Sequence, residues 1–309
     1  MSVTNQHFVP RLYLSRYNNN QKIIWVLNKS QSTIKDKSIK STASDEFFYK
    51  FSVNDIEAIK KDNPLEEVHP DLLDDFFTHK IEPIFTRSLD NILNTYKEIQ
   101  NQEKRILLNE SDLPDLAKSI AYQYFRTRSF RNGIRSNFKA FLESTMADES
   151  VAEILNFFDE RKVLEHAKEI FRRANELSEK LVRDYYWIVY ENHTSIPFYT
   201  SDSPVVAWKH QGQNNWDIVL HDVGFEIEQY AFPLTDRLLL VLVKKEFGLN
   251  LYAHCRILPL SDENNVKFFN EGQLQSSFNQ VLSSSNNFDM FNGLHARLPD
   301  DTTRVIQIT

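Results

Sequence analysis

Glycine is scarce in this chain. Six occur in 309 residues, at Gly133, Gly212, Gly224, Gly248, Gly272 and Gly293, about 2% against a usual ~7%. No two lie within five positions of each other, so neither G-x-G-x-x-G nor G-x-x-x-x-G-K-[ST] can be written, which excludes the glycine-rich loops that cradle nucleotide phosphates. Any phosphate must be held by side chains. Cysteine is scarcer still. Cys255 alone can form neither an internal disulfide nor a cysteine-based metal cluster, and this suits a reducing cytosol. Long apolar runs are missing too: Leu238 to Val243 falls far short of the ~20 residues a membrane-spanning helix needs. The N-terminus lacks the basic-then-apolar pattern of a secretory signal. A cytoplasmic protein without a membrane partner is expected. There is no basic excess, and a net charge of −7 argues against general coating of nucleic acid.

What the chain does have is aromatic bulk. With 23 Phe, 12 Tyr and 4 Trp in a 41% apolar composition, it can bury a sizeable core, and one globular domain over residues 1–309 is expected. No internal repeat is visible, and Asn18 to Asn20 and Ser283 to Asn287 read as polar turns. Lys22 to Leu27 reads as a strand. From about residue 54 to 182 the pattern is helical. Leu72, Leu73, Phe76, Phe77, Ile81 and Ile84 recur at helical spacing, and Pro83 is expected to kink or divide that helix. Ser111 to Pro114 carries a capping signal for a helix reaching about Phe130, and one long helix is expected over Val151 to Val182. From 183 to 309 the texture is strand-rich: Tyr185 to Tyr190, Val205 to Trp208, Trp216 to Leu220, Phe225 to Phe232 and Leu238 to Val243. A helix over Asp262 to Phe278 and a closing strand, Arg304 to Ile308, follow. Strands and helices that do not alternate regularly argue for α+β: a central helical region packed with a C-terminal, mostly antiparallel sheet, joined by the N-terminal strand segment.

Between Leu116 and Leu142 stand six basic residues and no acidic one. Treated as one helical surface at ~100° per residue, Leu116 to Phe141 places Gln123 and Thr127 on the apolar face and Arg126 on its flank. Arg128, Arg131, Arg135 and Lys139 form a second stripe that could seat phosphates; the plainer reading is a solvated face paired with acids from elsewhere. Two further segments set reactive groups among apolar ones. In Asn5-Gln6-His7-Phe8-Val9-Pro10 the histidine suits acid–base work and Gln6 can position a substrate, or the ring is simply buried against backbone. In Phe198 to Val206, Thr200, Ser201, Asp202 and Ser203 precede Pro204, where Asp and Ser commonly hold turns; alternatively Asp202 orients His7, pairs with Arg126 or binds a metal. Glu46 and Glu82 are further acids near aromatic runs. The other histidines noted, His69, His79, His193, His210, His221 and His254, show no H-E-x-x-H or similarly tight ligand spacing. No G-x-S-x-G nucleophile elbow exists.

Taken in order along the chain, Asn5 to Pro10 with Tyr13-Leu14, Phe47-Phe48-Tyr49, Ile81-Glu82-Pro83, Gln123 with Arg126-Thr127, Tyr199 to Val205 and Phe232 to Thr235 resemble the bacterial family catalogued as domain of unknown function 4238. Ser203 stands where such families more often carry Asn, a change that should preserve the turn. The resemblance implies one globular unit and a stand-alone bacterial protein; a defence or toxin role is an analogy. The functional expectation is a nuclease or other phosphoryl-transfer hydrolase, His-based and metal-independent, acting on nucleic acid or a small phosphate-bearing ligand. In it His7 is acid or base, Asp202 orients it, Arg126 stabilises negative charge and Gln6, Gln123, Thr127, Thr200 and Ser201 contact substrate. Arg128, Arg131, Arg135 and Lys139 hold the backbone. No cofactor is implied, a divalent metal and the oligomeric state being left open. The alternative is a non-catalytic binding or regulatory protein in which the same polar groups are structural.

Overall fold

The computed structural model describes residues 4–17, 23–62, 67–99, 105–146, 148–210, 216–219, 227–247, 251–298 and 301–308. The chain opens with β1 (Asn5–His7), α1 (Arg11–Leu14), β2 (Ile23–Asn28), β3 (Thr33–Ser38) and β4 (Ser44–Glu46). β1 pairs antiparallel with β4, and β2 with β3. Helices follow: α2 (Val53–Asp62), α3 (Leu72–Phe76), a π-helical turn at Phe77–Ile81, α4 (Glu82–Ile99), α5 (Leu113–Phe125), α6 (Arg128–Thr145), α7 (Asp148–Glu160) and α8 (Lys162–Asp184). The remainder is β5 (Tyr185–Asn192), β6 (Thr200–Ser201), β7 (Val206–His210), β8 (Trp216–Ile218), β9 (Gln229–Pro233), β10 (Leu238–Lys244), β11 (Arg256–Leu260), α9 (Glu263–Ser276), β12 (Gln280–Ser283), β13 (His295–Leu298) and β14 (Asp301–Gln307). The fold is α+β. The expected turn at Asn18 to Asn20 and part of the expected Phe225 strand lie outside the described residues.

Six strands form one sheet in the order β11-β5-β10-β9-β7-β8, antiparallel except where β11 runs beside β5. Its inner strand β10, Leu-Leu-Leu-Val-Leu-Val-Lys, is buried throughout. Alternate side chains of a strand face opposite ways. Leu238, Leu240 and Leu242 accordingly enter the main core, while Leu239, Val241 and Val243 enter a second core beneath α9. Gly272 lets α9 approach that face, because a Cβ there would collide with the Trp208 ring. A second sheet, β3-β2-β12-β6, interleaves N-terminal and C-terminal strands.

Two helix boundaries depart from the sequence expectation. Leu116 to Phe141 is not one surface: α5 ends at Phe125, and Thr127, extended at ψ 159°, caps α6 by accepting the Phe130 N–H. An N-cap hydroxyl satisfies a donor that no helical carbonyl can reach. Gly133 is passed without interruption. The single helix expected over Val151 to Val182 is likewise two, α7 and α8, divided at Arg161. The helix expected around Pro83 is divided beside it, α3 ending at Phe76 and α4 starting at Glu82. The strain is taken up just before the proline by the π turn, in which the Glu82 N–H reaches the Phe77 carbonyl. Proline has no N–H to give and its ring crowds the carbonyl four residues back, so the wider turn suits the position. It also retunes phase. Leu73, Phe77, Ile81, Phe85 and Leu89 are all buried although each is four residues from the next. In an unbroken α-helix such steps would drift by about 160°; one extra residue in the turn reduces this to about 60°, within one apolar stripe.

Candidate functional site

The N-terminal segment is short, and its polar neighbours hold it by its backbone. Arg126, buried at the junction of α5 and α6, donates from Nη2 to the His7 carbonyl at 2.7 Å. Gln123 Nε2 donates to the Phe8 carbonyl at 3.0 Å, and Gln6 Oε1 accepts the Tyr49 N–H at 2.6 Å. Both the Phe8 and Val9 N–H groups donate to the Ala43 carbonyl. Arg126 is engaged on every side. Its Nη1 and Nη2 reach Glu82 Oε1 at 3.2 and 3.1 Å, its Nε donates to the Tyr49 hydroxyl at 3.2 Å, and its guanidinium carbon lies 4.1 Å from the centre of the Phe77 ring. An arginine whose donors are committed this way positions its neighbours; it is not an open anion receptor.

Against this anchor lies a cleft of about 370 Å³, within the size range of small-ligand sites. β1 gives it Asn5, Gln6 and His7, the start of α1 gives Arg11, and the turn after β3 gives Lys40. Asp74, Thr78 and Glu82 form the helical wall. Eight residues separate Asp74 from Glu82, which in a regular α-helix would set them about 80° apart; the π turn narrows that to about 20°. Pro83 and the apolar spacing thus align two carboxylates along one side of the cleft.

The electrostatics of the two walls differ. Burial, with the Arg11 charge next in importance, holds His7 below its ordinary 6.5, against a hydrogen bond to the Ile39 backbone and the Glu82 charge; Arg126 lowers it further. Asp74 moves the other way. Burial pushes it up to about 6, with Glu82, Asp75 and Asp71 adding to the rise and Arg126 opposing it. Near neutrality the cleft therefore offers a neutral imidazole and a carboxyl group that retains its proton more readily than most. Two buried nitrogens, Gln6 Nε2 and His7 Nε2, have no hydrogen-bond partner among the described residues. Such orphans are uncommon and each costs roughly 1–3 kcal/mol. Among the described residues no group of three His, Cys, Asp or Glu side chains forms a metal-binding cluster.

His7, Gln6 and Arg126 thus come together as the sequence suggested, with Gln123 behind them. Asp202 does not join them. It is buried, its Oδ1 accepts the Phe278 N–H at 2.7 Å, and its Oδ2 accepts those of Asn279 and Gln280 at 2.8 and 2.9 Å. Burial raises its pKa, while those donors and the Lys29 charge oppose the rise. It ties β6 to the turn before β12, the turn-holding role its neighbours in sequence foreshadow. Thr200 bonds the Tyr13 hydroxyl at 2.7 Å, and Ser201 donates to Gln273 at 2.7 Å, both in the buried interior. Thr127 serves as the α6 cap.

The basic stripe on α6 is paired along its length. Arg128 meets Asp45. Arg131, largely buried, stacks 3.6 Å over Phe48 and donates to the Phe48 carbonyl and His166 Nδ1. Arg135 makes a two-point bond with Asp159 at 2.6 and 2.7 Å, and Lys139 lies 3.5 Å from Glu143. The cleft cations Arg11 and Lys40, by contrast, have no acidic ion-pair partner among the described residues. Sequence reasoning missed Asp74, Thr78, Arg11 and Lys40. Only the phase shift before Pro83 could have pointed to the first two, and nothing in sequence marks the other two.

A histidine-bearing N-terminal strand thus meets a helical wall carrying two carboxylates at a cleft of an α+β protein. The chain belongs to the family described as protein of unknown function (DUF4238), whose model matches residues 5–287. The matched stretch takes in every cleft residue and stops before β13. No curated protein and no solved structure matches the chain.

Proposed function

We propose that the cleft performs acid–base cleavage of a phosphodiester in nucleic acid. One observation carries this reading: a single cleft joins His7 and Asp74, with proton affinities shifted in opposite directions, to two cations, Arg11 and Lys40, that have no acidic ion-pair partner among the described residues. Paired groups displaced this way are how one site supplies both a base and an acid near neutral pH. His7 takes the proton of the attacking hydroxyl, Asp74 gives one to the departing oxygen, and Arg11 and Lys40 meet the phosphate charge. Arg126 and Glu82 act by holding the His7 strand against the helix. A cleaving activity of this kind would suit the defence or toxin role that analogy suggests.

Incubating the protein with single-stranded RNA, transfer RNA and DNA, with and without Mg²⁺ or Mn²⁺, tests the proposal. Cleavage is expected, falling about 10²–10⁴-fold in His7→Ala and Asp74→Asn. Substrates left intact by wild type and both variants alike would sink it.

A second reading, a non-catalytic binding or regulatory protein, is favoured by the structural engagement of Arg126, Gln123, Asp202, Thr200 and Ser201. Stability separates the two. If His7 only stitches the fold together, His7→Ala lowers the melting temperature; a catalytic His7 is neutral or stabilising when removed.

A further inference from the structure

Ala43, buried behind the His7 strand, has a left-handed backbone at φ 49°. That conformation strains a residue with a Cβ and persists only where its surroundings impose it. Bonds on both sides impose it here. The Ala43 carbonyl accepts the N–H groups of Phe8 and Val9 at 3.1 and 3.4 Å, and the Ala43 N–H donates to Gln280 Oε1 at 3.1 Å. Ser44, the next residue, starts β4 and pairs with His7. Three residues before Ala43, the Lys40 carbonyl accepts from Asn5 Nδ2 at 2.7 Å, and Lys40 itself lines the cleft. Gln280 is fixed in turn by Asp202. Its N–H donates to Asp202 Oδ2 at 2.9 Å, and its carbonyl accepts the Asp202 N–H at 3.0 Å. A path of hydrogen bonds thus runs from Asp202 through Gln280 and Ala43 to the strand of His7, although Asp202 does not line the cleft.

We propose that Gln280 is a positioning residue of the cleft: through Ala43 it fixes the placement of His7 and Lys40, while Asp202 holds Gln280 itself. This role holds whatever reaction the cleft performs, and so goes beyond the acid–base reading. Gln280 belongs to β12, in the sheet β3-β2-β12-β6, so a strand outside the cleft sets one of its walls. Removing the Gln280 oxygen leaves the Ala43 N–H unpaired in a buried place and lifts one of the two restraints on a strained backbone. Ala43 then relieves its strain by returning to negative φ, where a residue with a Cβ is at ease. That rotation turns its carbonyl away from Phe8 and Val9 and loosens the strand that carries His7.

The test reads the titration of His7 by NMR in the full chain with isotope-labelled histidine, its signal identified by its loss in His7→Gln. In wild type burial holds His7 below 6.5, with Arg11 and Arg126 lowering it and Glu82 raising it. Gln280→Leu leaves those three charges in place but lets water reach the ring, so the His7 pKa should rise toward 6.5. The Phe8 amide, losing its acceptor, should exchange its hydrogen about 5-fold faster or more. Gln280→Asn, one methylene too short to reach Ala43, should move both readings the same way and serves if the first variant does not fold. Leu282→Val, two residues along β12 in the buried core, weakens packing without breaking the path and should leave His7 unmoved. Adding Ala43→Gly to Gln280→Leu removes the strain that Gln280 restrains and should return His7 toward its wild-type titration. A His7 titration unchanged in the Gln280 variants, shifted as far by Leu282→Val, or not returned by Ala43→Gly overturns the positioning role. Because no turnover is read, a failure to cleave nucleic acid would overturn the acid–base reading alone.

Discussion

Asp74 and His7 impose a sign on the pH dependence of any acid–base reaction in the cleft. His7 works as a base only when neutral, so the rate climbs as pH rises through its pKa, which lies below 6.5. Asp74 works as an acid only when protonated, so the rate falls as pH rises through about 6. The groups that set these positions are Arg11, Arg126 and Glu82 around His7, and Arg126, Glu82, Asp75 and Asp71 around Asp74. A profile with its maximum on the acid side of neutrality is expected, and Asp74→Asn should erase its alkaline limb; a rate that rises through pH 8 in wild type would contradict these roles. Arg126 makes a different kind of prediction. Replacing it by Met would strand the His7 carbonyl and the Glu82 carboxylate together, while the Tyr49 hydroxyl keeps its bond to the main-chain carbonyl of residue 126. Because Glu82 is partly exposed, the loss belongs near the lower end of the ~3–5 kcal/mol for breaking a buried pair. In a chain of this size that lowers the melting temperature by roughly 5–10 °C, measurable by calorimetry.

Among the elements, α6 looked in sequence like the nucleic-acid surface, and its pairing says otherwise. Charges already met by Asp159 and Glu143 attract phosphates weakly, whereas Arg11 and Lys40 have no ion-pair partner among the described residues. Arg135→Ala with Lys139→Ala should change the affinity for an RNA oligonucleotide less than about twofold, while Arg11→Gln with Lys40→Gln should weaken it by 10-fold or more and flatten its salt dependence. Fluorescence anisotropy across a salt series decides between them. Apolar spacing and turn residues marked most helices and strands, and Asn5 to Pro10 advertised a histidine in unusual company. What stayed hidden has a common cause. Stripes drawn along Leu116 to Phe141 assumed continuous phase, and the break at Thr127 rotates everything after it. Asp74 was hidden by the opposite event, an extra residue within a helix that otherwise continues. Asp202 was legible as a turn residue, since Asp before Ser-Pro commonly bonds nearby backbone; its partners merely come from the turn before β12.

At the scale of the molecule, the main core draws on every region. Phe8 and Tyr13 from the N-terminal segment, Phe85 and Ile120 from the helices, and Trp187, Leu240 and Leu282 from the sheets belong to one buried cluster. Tyr13 stacks on both Phe85 and Phe232, with ring centres 6.0 and 4.9 Å apart. Near- and far-ultraviolet dichroism should therefore report a single coincident thermal transition, and a fragment of residues 54–182 expressed alone should show no cooperative melting. Two separated transitions in the intact chain would contradict this.

The sheet order β3-β2-β12-β6 carries one more consequence, which concerns time. β2 lies between its near neighbour β3 and β12, and Gln280 Oε1 accepts the N–H of Ala43, the residue whose carbonyl receives the Phe8 and Val9 N–H groups. His7 is made well before β12, the strand that completes its support. At about 5–20 residues per second, tens of seconds separate the two. The cleft therefore stays unfinished until β12 has been made, long after the strand that carries His7.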